Sequence, residues 1–178
     1  MHASTKWLIG IVAIVVLVSL PLAFGYRYPL VFPYEWHKAL HIFGAVIFVG
    51  NIIVTGAWML LAERTRDPSV IQFAARTANW ADVLFTGPGV ILVLWNGLVL
   101  AHQLNGIYRT SWIAAALGLF ALSGIVWVVF LIPYQHRLIQ RSGDEFLRTL
   151  HRWYFWGVIA TILPLVSLVL MVVKPTLW

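Results

Sequence analysis

Five apolar runs, each close to the length of one bilayer crossing, constrain this chain more than any other feature. A helix needs about 20 apolar residues to cross the hydrocarbon core. Residues 7–24, 36–62, 80–102, 111–134 and 153–173 meet that requirement. The 178 residues are 61% hydrophobic and 10% charged, so the apolar surface exceeds what a core of this size can bury, and lipid must cover the rest. The expected fold is all-α: a four-helix transmembrane bundle over 34–178, preceded by an N-terminal anchor helix and outer loop over 1–33. Lys6 precedes the first run as it would in a secretory signal, but no small-x-small cleavage site follows, so this run is read as a retained anchor.

Charge gives the direction of threading. With the N-terminus in the cytoplasm, Lys6, Arg64, Arg66, Arg76, Arg137, Arg141, Arg148 and Arg152 fall inside, and Arg27, Lys38, Arg109 and Lys174 fall outside. Eight against four predicts five spans, N-in and C-out, in a prokaryotic plasma membrane. The net charge of +6 is explained by these short loops, and no basic and aromatic motif for nucleic acid is present. Several of the ten tryptophans stand near span ends, as interfacial belts do. The absence of cysteine excludes disulfides, thiolate metal sites and cysteine nucleophiles. Asp67-Pro68-Ser69 predicts a helix start. Residues 135–152 are amphipathic and basic. Ser142-Gly143-Asp144 is expected to break them into two short arms lying solvated at the headgroups.

Polar groups within a span are costly and turn toward the bundle interior. In the second span His37, His41, Gly44, Phe48, Asn51 and Thr55 share one helical face. In the third, Asp82, Thr86, Gly89, Val93 and Asn96 form another such stripe, and Pro88 between two glycines predicts a kink. The fifth span aligns Trp153, Gly157, Ala160, Pro164, Ser167, Met171 and Lys174. Gly44 removes bulk one turn below His41, where a flat cofactor could approach the backbone. His102 ends the third span in the same leaflet as His41, but an ideal helix turns it about 120° away from Asn96. His136 and His151 lie in the basic arms and are expected to be solvated, and His2 is terminal.

Two chemistries use the outer histidines. Histidine is a common axial ligand of haem iron, held between facing helices of a bundle. His41 supplies one ligand, and His102 or His37 could supply a second. Lys38, Arg27, Arg109 and Lys174 could pair with the propionates. Alternatively His37 and His41, spaced i, i+4, chelate copper or zinc with His102 as a third ligand. No His-Glu-x-x-His and no carboxylate cluster supports metal hydrolysis. A third reading is a cofactor-free accessory subunit whose Asn51, Thr55, Thr86 and Asn96 bond between helices. The expected partners are the lipid bilayer, a redox partner or larger membrane complex, and a second copy of the chain.

The segment Tyr34-Glu35-Trp36-His37-Lys38-Ala39-Leu40-His41-Ile42 resembles the lysine, two residues, histidine opening of the haem-binding, four-helix protoporphyrinogen oxidases. Leu84-Phe85-Thr86-Gly87-Pro88-Gly89-Val90 is similar to the threonine-proline-glycine entry of their next helix. Those proteins share a superfamily with the copper-resistance D proteins and the membrane segment of a bacterial urate oxidase. A sister family of uncharacterised predicted integral membrane proteins is a closer match. It shares Ala-Arg-Thr…Ala-Asp-x-Leu-Phe-Thr, here residues 75–86, and the ending Met171-Val172-Val173-Lys174-Pro175. The resemblance spans residues 34–175. It implies haem b at His41 with Lys38 beside it, and an oxidoreductase or electron-transfer role near the outer face. The oxidases place a histidine and a lysine at the start of their third core helix. Here Trp112-Ile113-Ala114-Ala115-Ala116 stands instead, a departure that sets this chain apart from protoporphyrinogen oxidation; if there is a second axial ligand, His102 is the expected substitute.

Overall fold

A computed structural model describes residues 3–23, 26–104, 106–140 and 144–178. Its helices are α1 (Ala3–Ala23), α2 (Tyr34–Arg64), α3 (Pro68–Gln103), α4 (Ser111–Ile139) and α5 (Asp144–Val173). Among the described residues, α2 to α5 are long and apolar enough to cross a membrane. The first span falls short of that standard: the apolar stretch of α1, Lys6–Pro21, is shorter than the other four.

Asp67 starts α3 as its sequence predicts. Its Oδ1 accepts from the Ser69 backbone N–H at 2.8 Å and from Ser69 Oγ at 2.7 Å, and Pro68 occupies the first helical position, where no N–H is needed. These bonds, the side-chain one foremost, hold the Asp67 carboxyl below the usual carboxylate range. The folded value lies below the unfolded one. The cap therefore contributes stability above about pH 3.9, and loses it as pH falls through the lowered value. Asp67→Ala is expected to lower the melting temperature slightly at neutral pH and to remove this part of its acid decline, which melting curves between pH 2 and 7 would register.

Next to Pro88, where a kink is expected, α3 carries a π-turn. α3 is π-helical at Asp82–Thr86, where the Gly87 N–H reaches back to the Asp82 carbonyl. α4 does the same at Trp127–Leu131, where the Ile132 N–H reaches Trp127, one residue before Pro133. A proline ring clashes with the carbonyl four residues earlier and donates nothing to it. For Pro88 and Pro133 those carbonyls belong to Leu84 and Val129, both inside the wider π-turns, which relieve the clash. Pro164 in α5 has another remedy. The Ala160 carbonyl it leaves unpaired accepts from Ser123 Oγ of α4 at 2.7 Å.

The helices pack as two antiparallel pairs, α2 with the later half of α3, and α4 with α5. Ser167 Oγ donates to the Ala116 carbonyl at 3.1 Å and adds a second link within the latter pair. α1 runs parallel to α3. Asn79 Nδ2 donates to Ser4 Oγ, Ile11 covers Gly87, and Val15 and Val18 pack toward Leu94 and Leu98. Tyr28, buried in the connection to α2, donates to the Val18 carbonyl and sets its ring edge-on against Trp95. This topology gathers Arg64, Arg66, Arg76, Arg137, Arg148 and Arg152 at one end, and His37, His41 and His102 at the other.

The two pairs join at the arginine-rich end, and here the sequence expectation is corrected. Residues 135–139 continue α4, and α5 begins at Asp144, so the arms are extensions of the spans. Leu138 and Leu150 are fully buried, and Ile139 and Phe146 nearly so, against Met59, Ala62, Ile71 and Ala75. The basic side stays exposed while the apolar side closes the bundle. His136 is half-buried, with its Nδ1 shielded and unpartnered, whereas His151 is exposed and faces Glu63 of α2 at 3.6 Å. The break expected at Ser142-Gly143-Asp144 lies largely outside the described residues.

Candidate functional site

The two polar stripes meet each other. From the histidine end inward, His37 Nδ1 faces Asn96 Oδ1 at 2.7 Å and His41 Nδ1 faces the Val93 carbonyl at 2.8 Å. Below them Gly44 crosses Gly89, and Asn51 Nδ2 donates to Thr86 Oγ1 at 2.8 Å and to Asp82 Oδ1 at 3.2 Å. Each contact joins α2 to α3.

The donors fix both imidazoles. The Phe32 backbone N–H can only donate, and it reaches His37 Nε2 at 3.3 Å. His37 therefore carries its proton on Nδ1 and gives it to Asn96, whose own amide nitrogen donates to Leu92 O at 2.8 Å. With both nitrogens engaged and 1% of its surface exposed, His37 has no lone pair left for iron, copper or zinc. His41 differs. A carbonyl can only accept, so Nδ1–H donates to Val93 O, and the Nε2 lone pair is left for a ligand. This is the arrangement in which a backbone carbonyl orients a metal-binding imidazole. Gly97 makes room for the ring, since a Cβ there would lie 2.9 Å from His41 Cε1.

The other expected site residues are dispersed. His102 donates from Nδ1 to the Leu98 carbonyl at 2.8 Å and lies beside Tyr28. It shares with Trp95 the α3 face that Tyr28 covers, whereas His41 lies against Val93 and Gly97, about 180° around the helix. The structure therefore does not bring His102 to His41 as a second axial ligand. Gly44 offers no surface to a flat cofactor either. A Cβ on it would meet Leu92 Cβ at 2.7 Å and Gly89 O at 2.9 Å, because α3 fills the space. Lys38 is exposed one turn before His41, Arg109 is exposed in the α3–α4 connection, and Lys174 rests 5.7 Å from the Trp112 ring on the α4–α5 side. Among the described residues, no three His, Cys, Asp or Glu side chains are grouped to hold a metal ion, so His37, His41 and His102 do not form the expected copper or zinc set.

Sequence reasoning placed Asp82 on an inward stripe but missed its partner Gln135. Asp82 Oδ1 accepts from Thr86 Oγ1 at 2.8 Å as well as from Asn51, and Oδ2 accepts from Gln135 Nε2 at 3.0 Å. Gln135 stands just past the predicted end of its span and reads as the start of a basic arm. Its signal was an uncharged polar residue two places after a proline. Asp82 and Gln135 line the floor of a cleft of about 1240 Å³ between the helix pairs.

These features define a polytopic helical membrane protein whose polar groups turn inward and pair across helices. The chain belongs to the family described as predicted integral membrane protein (DUF2269), which it matches over residues 35–175. That match begins at α2 and leaves α1 outside it. Comparison with curated proteins and with solved structures finds no match.

Proposed function

We propose that this protein binds one haem b through His41 near the outer face of a prokaryotic plasma membrane, as an oxidoreductase or electron-transfer component threaded five times, N-in and C-out. One observation carries the reading: the Nδ1–H of His41 is committed to a backbone carbonyl of the facing helix while Nε2 keeps its lone pair, whereas His102 bonds a carbonyl of its own helix and lies on the side of α3 covered by Tyr28. The resemblance of residues 34–42 to a haem-binding helix opening adds to it. The donor set fits a single axial ligand, with His37 and Asn96 bracing α2 against α3. Lys38 is on the same helix and exposed, suited to a propionate, and Arg109 and Lys174 are basic groups at the same end. A bound haem would supply one-electron exchange at its iron. His41 would hold it, Val93 O would keep the imidazole in the ligating tautomer, and the apolar bundle would exclude water.

Protein purified from haem-replete cells is expected to show a Soret band and a reduced-minus-oxidised difference spectrum. His41→Ala should abolish both, and Arg148→Ala, at the far end, should leave them unchanged. A folded wild-type protein with no Soret band would reject the reading. The mutual pairing of the two stripes favours a second one, a cofactor-free accessory subunit in which His37, His41 and Asn51 serve only to hold helices together. A colourless protein that co-purifies with a larger complex would select it.

A further inference from the structure

The cleft between the helix pairs is apolar along its walls, where Phe48, Val90, Leu94, Leu117 and Phe120 contribute, and polar at its floor. Gln135 is 3% exposed and Asp82 6% exposed, and both line it. The floor is built but incomplete. Asp82 receives three hydrogen bonds, all from uncharged donors, Asn51, Thr86 and Gln135. No salt bridge to Asp82 occurs among the described residues. Gln135 gives its amide hydrogen to Asp82 Oδ2 and leaves its own Oε1 buried without a hydrogen-bond partner. A buried polar atom left unpaired is costly, and a buried carboxylate without a counter-charge more so.

We infer that the cleft binds a lipophilic primary amine, its ammonium seated between Asp82 and Gln135 and its hydrocarbon chain lying along the apolar walls. Two acceptors remain at the floor, Gln135 Oε1 and the second lone pair of Asp82 Oδ2. They belong to one hydrogen-bonded pair at the edge of the cleft, so a single small head group would meet both once the Gln135 side chain shifts to admit it. A primary ammonium brings three N–H donors and the positive charge the carboxylate lacks. An alcohol supplies one donor and no charge, and a carboxylate adds a second negative charge to the first. Asp82 opens the π-turn of α3 and Gln135 follows that of α4 by four residues, and π-turns recur at functional sites. His41 does not line the cleft, so this inference is independent of haem.

The test uses the full-length protein in phosphatidylcholine nanodiscs, with radiolabelled decylamine as the probe and empty nanodiscs to correct for partition. Saturable binding is expected. Decanol and decyltrimethylammonium should each compete about tenfold more weakly or worse, the first for want of charge and the second for want of N–H donors. Asp82→Asn keeps the shape of the floor and removes its charge, and should weaken decylamine binding about tenfold or more. Gly124→Phe leaves the floor untouched and fills the cleft from a position where a Cβ meets nothing within 4 Å, and it should do the same. Binding equal to wild type in both variants, or decanol or decyltrimethylammonium competing as well as decylamine, would overturn the inference.

Discussion

Gly89→Val is expected to destabilise the bundle by about 2–4 kcal/mol, through overpacking and the polar pairs it strains. A Cβ at position 89 would lie 2.8 Å from Phe48 Cβ, 2.9 Å from the Gly44 carbonyl oxygen and 3.0 Å from the Phe48 nitrogen. Two of those atoms are backbone, so no rotamer change removes the clash, and α2 must move away from α3. That displacement lengthens the contacts of His37 with Asn96, His41 with Val93 and Asn51 with Thr86 together, because all of them bridge the same two helices. Gly44→Val should act alike, and the double variant should cost less than the sum of the two, since the first substitution has already separated the helices. Gly50→Ala, where a Cβ meets nothing within 4 Å, is the control and should be neutral or stabilising. Thermal unfolding in matched detergent, followed by tryptophan fluorescence, distinguishes these outcomes. Equal melting of Gly89→Val and Gly50→Ala would show that the close crossing does not hold the pair together.

That crossing was legible in the sequence because helical spacing alone puts His37, His41, Gly44 and Asn51 on one face, and Asp82, Thr86, Gly89 and Asn96 on another. Polar and small groups in a span have few places to go except toward each other. What they would bond to was not legible. The spacing that suggested a ligand face for Gly44 suits a helix crossing equally well, and pattern does not tell one from the other. His102 showed the opposite difficulty. Its position in the leaflet invited a partnership with His41, while the 3.6-residue turn already placed it on another side of α3.

The arginine-rich end was misread for a physical reason. Residues 135–152 carry enough charge to look solvated, yet Leu138, Phe146 and Leu150 recur at helical spacing and bury one side of each extension. Charge decides which side faces water, and apolar spacing decides whether the other side is covered. Gln135 was lost in the same misreading, and with it the third donor to Asp82. The two π-turns are also hard to foresee, since a proline in a span can be answered by a π-turn, as at Pro88 and Pro133, or by a neighbouring hydroxyl, as Ser123 does for Pro164.

The Asp82 network gives the second large effect, and its sign depends on which group replaces the carboxylate. Asp82→Leu removes three acceptor contacts together. It leaves the Thr86 hydroxyl and the Gln135 amide as buried donors with nothing to receive them, Asn51 loses one of its two acceptors, and Gln135 Oε1 remains unpaired. Unsatisfied buried groups cost about 1–3 kcal/mol each in principle. Thr86 can turn its hydroxyl to a helix carbonyl and Asn51 keeps its bond to Thr86, so a net loss of about 2–4 kcal/mol is expected. Asp82→Asn should cost far less. The new carboxamide oxygen takes the place of Oδ1 and still accepts from Thr86 and Asn51, while the new amide nitrogen replaces Oδ2 and faces Gln135. Gln135 then needs only to rotate its amide by half a turn, so that its unpartnered Oε1 accepts from that nitrogen. The substitution that removes the charge thus satisfies the orphan acceptor but leaves the Gln135 amide nitrogen unpaired in its place, so the number of unpaired groups does not rise. The double variant Asp82→Leu, Gln135→Leu should be more stable than Asp82→Leu alone, because it deletes the donor and the acceptor stranded by the first change. Unfolding midpoints for wild type and these three variants, at one pH and in one lipid, provide the comparison. An Asp82→Asn protein as unstable as Asp82→Leu would mean that the negative charge itself, rather than the matching of donors to acceptors, holds the two helix pairs together at this depth.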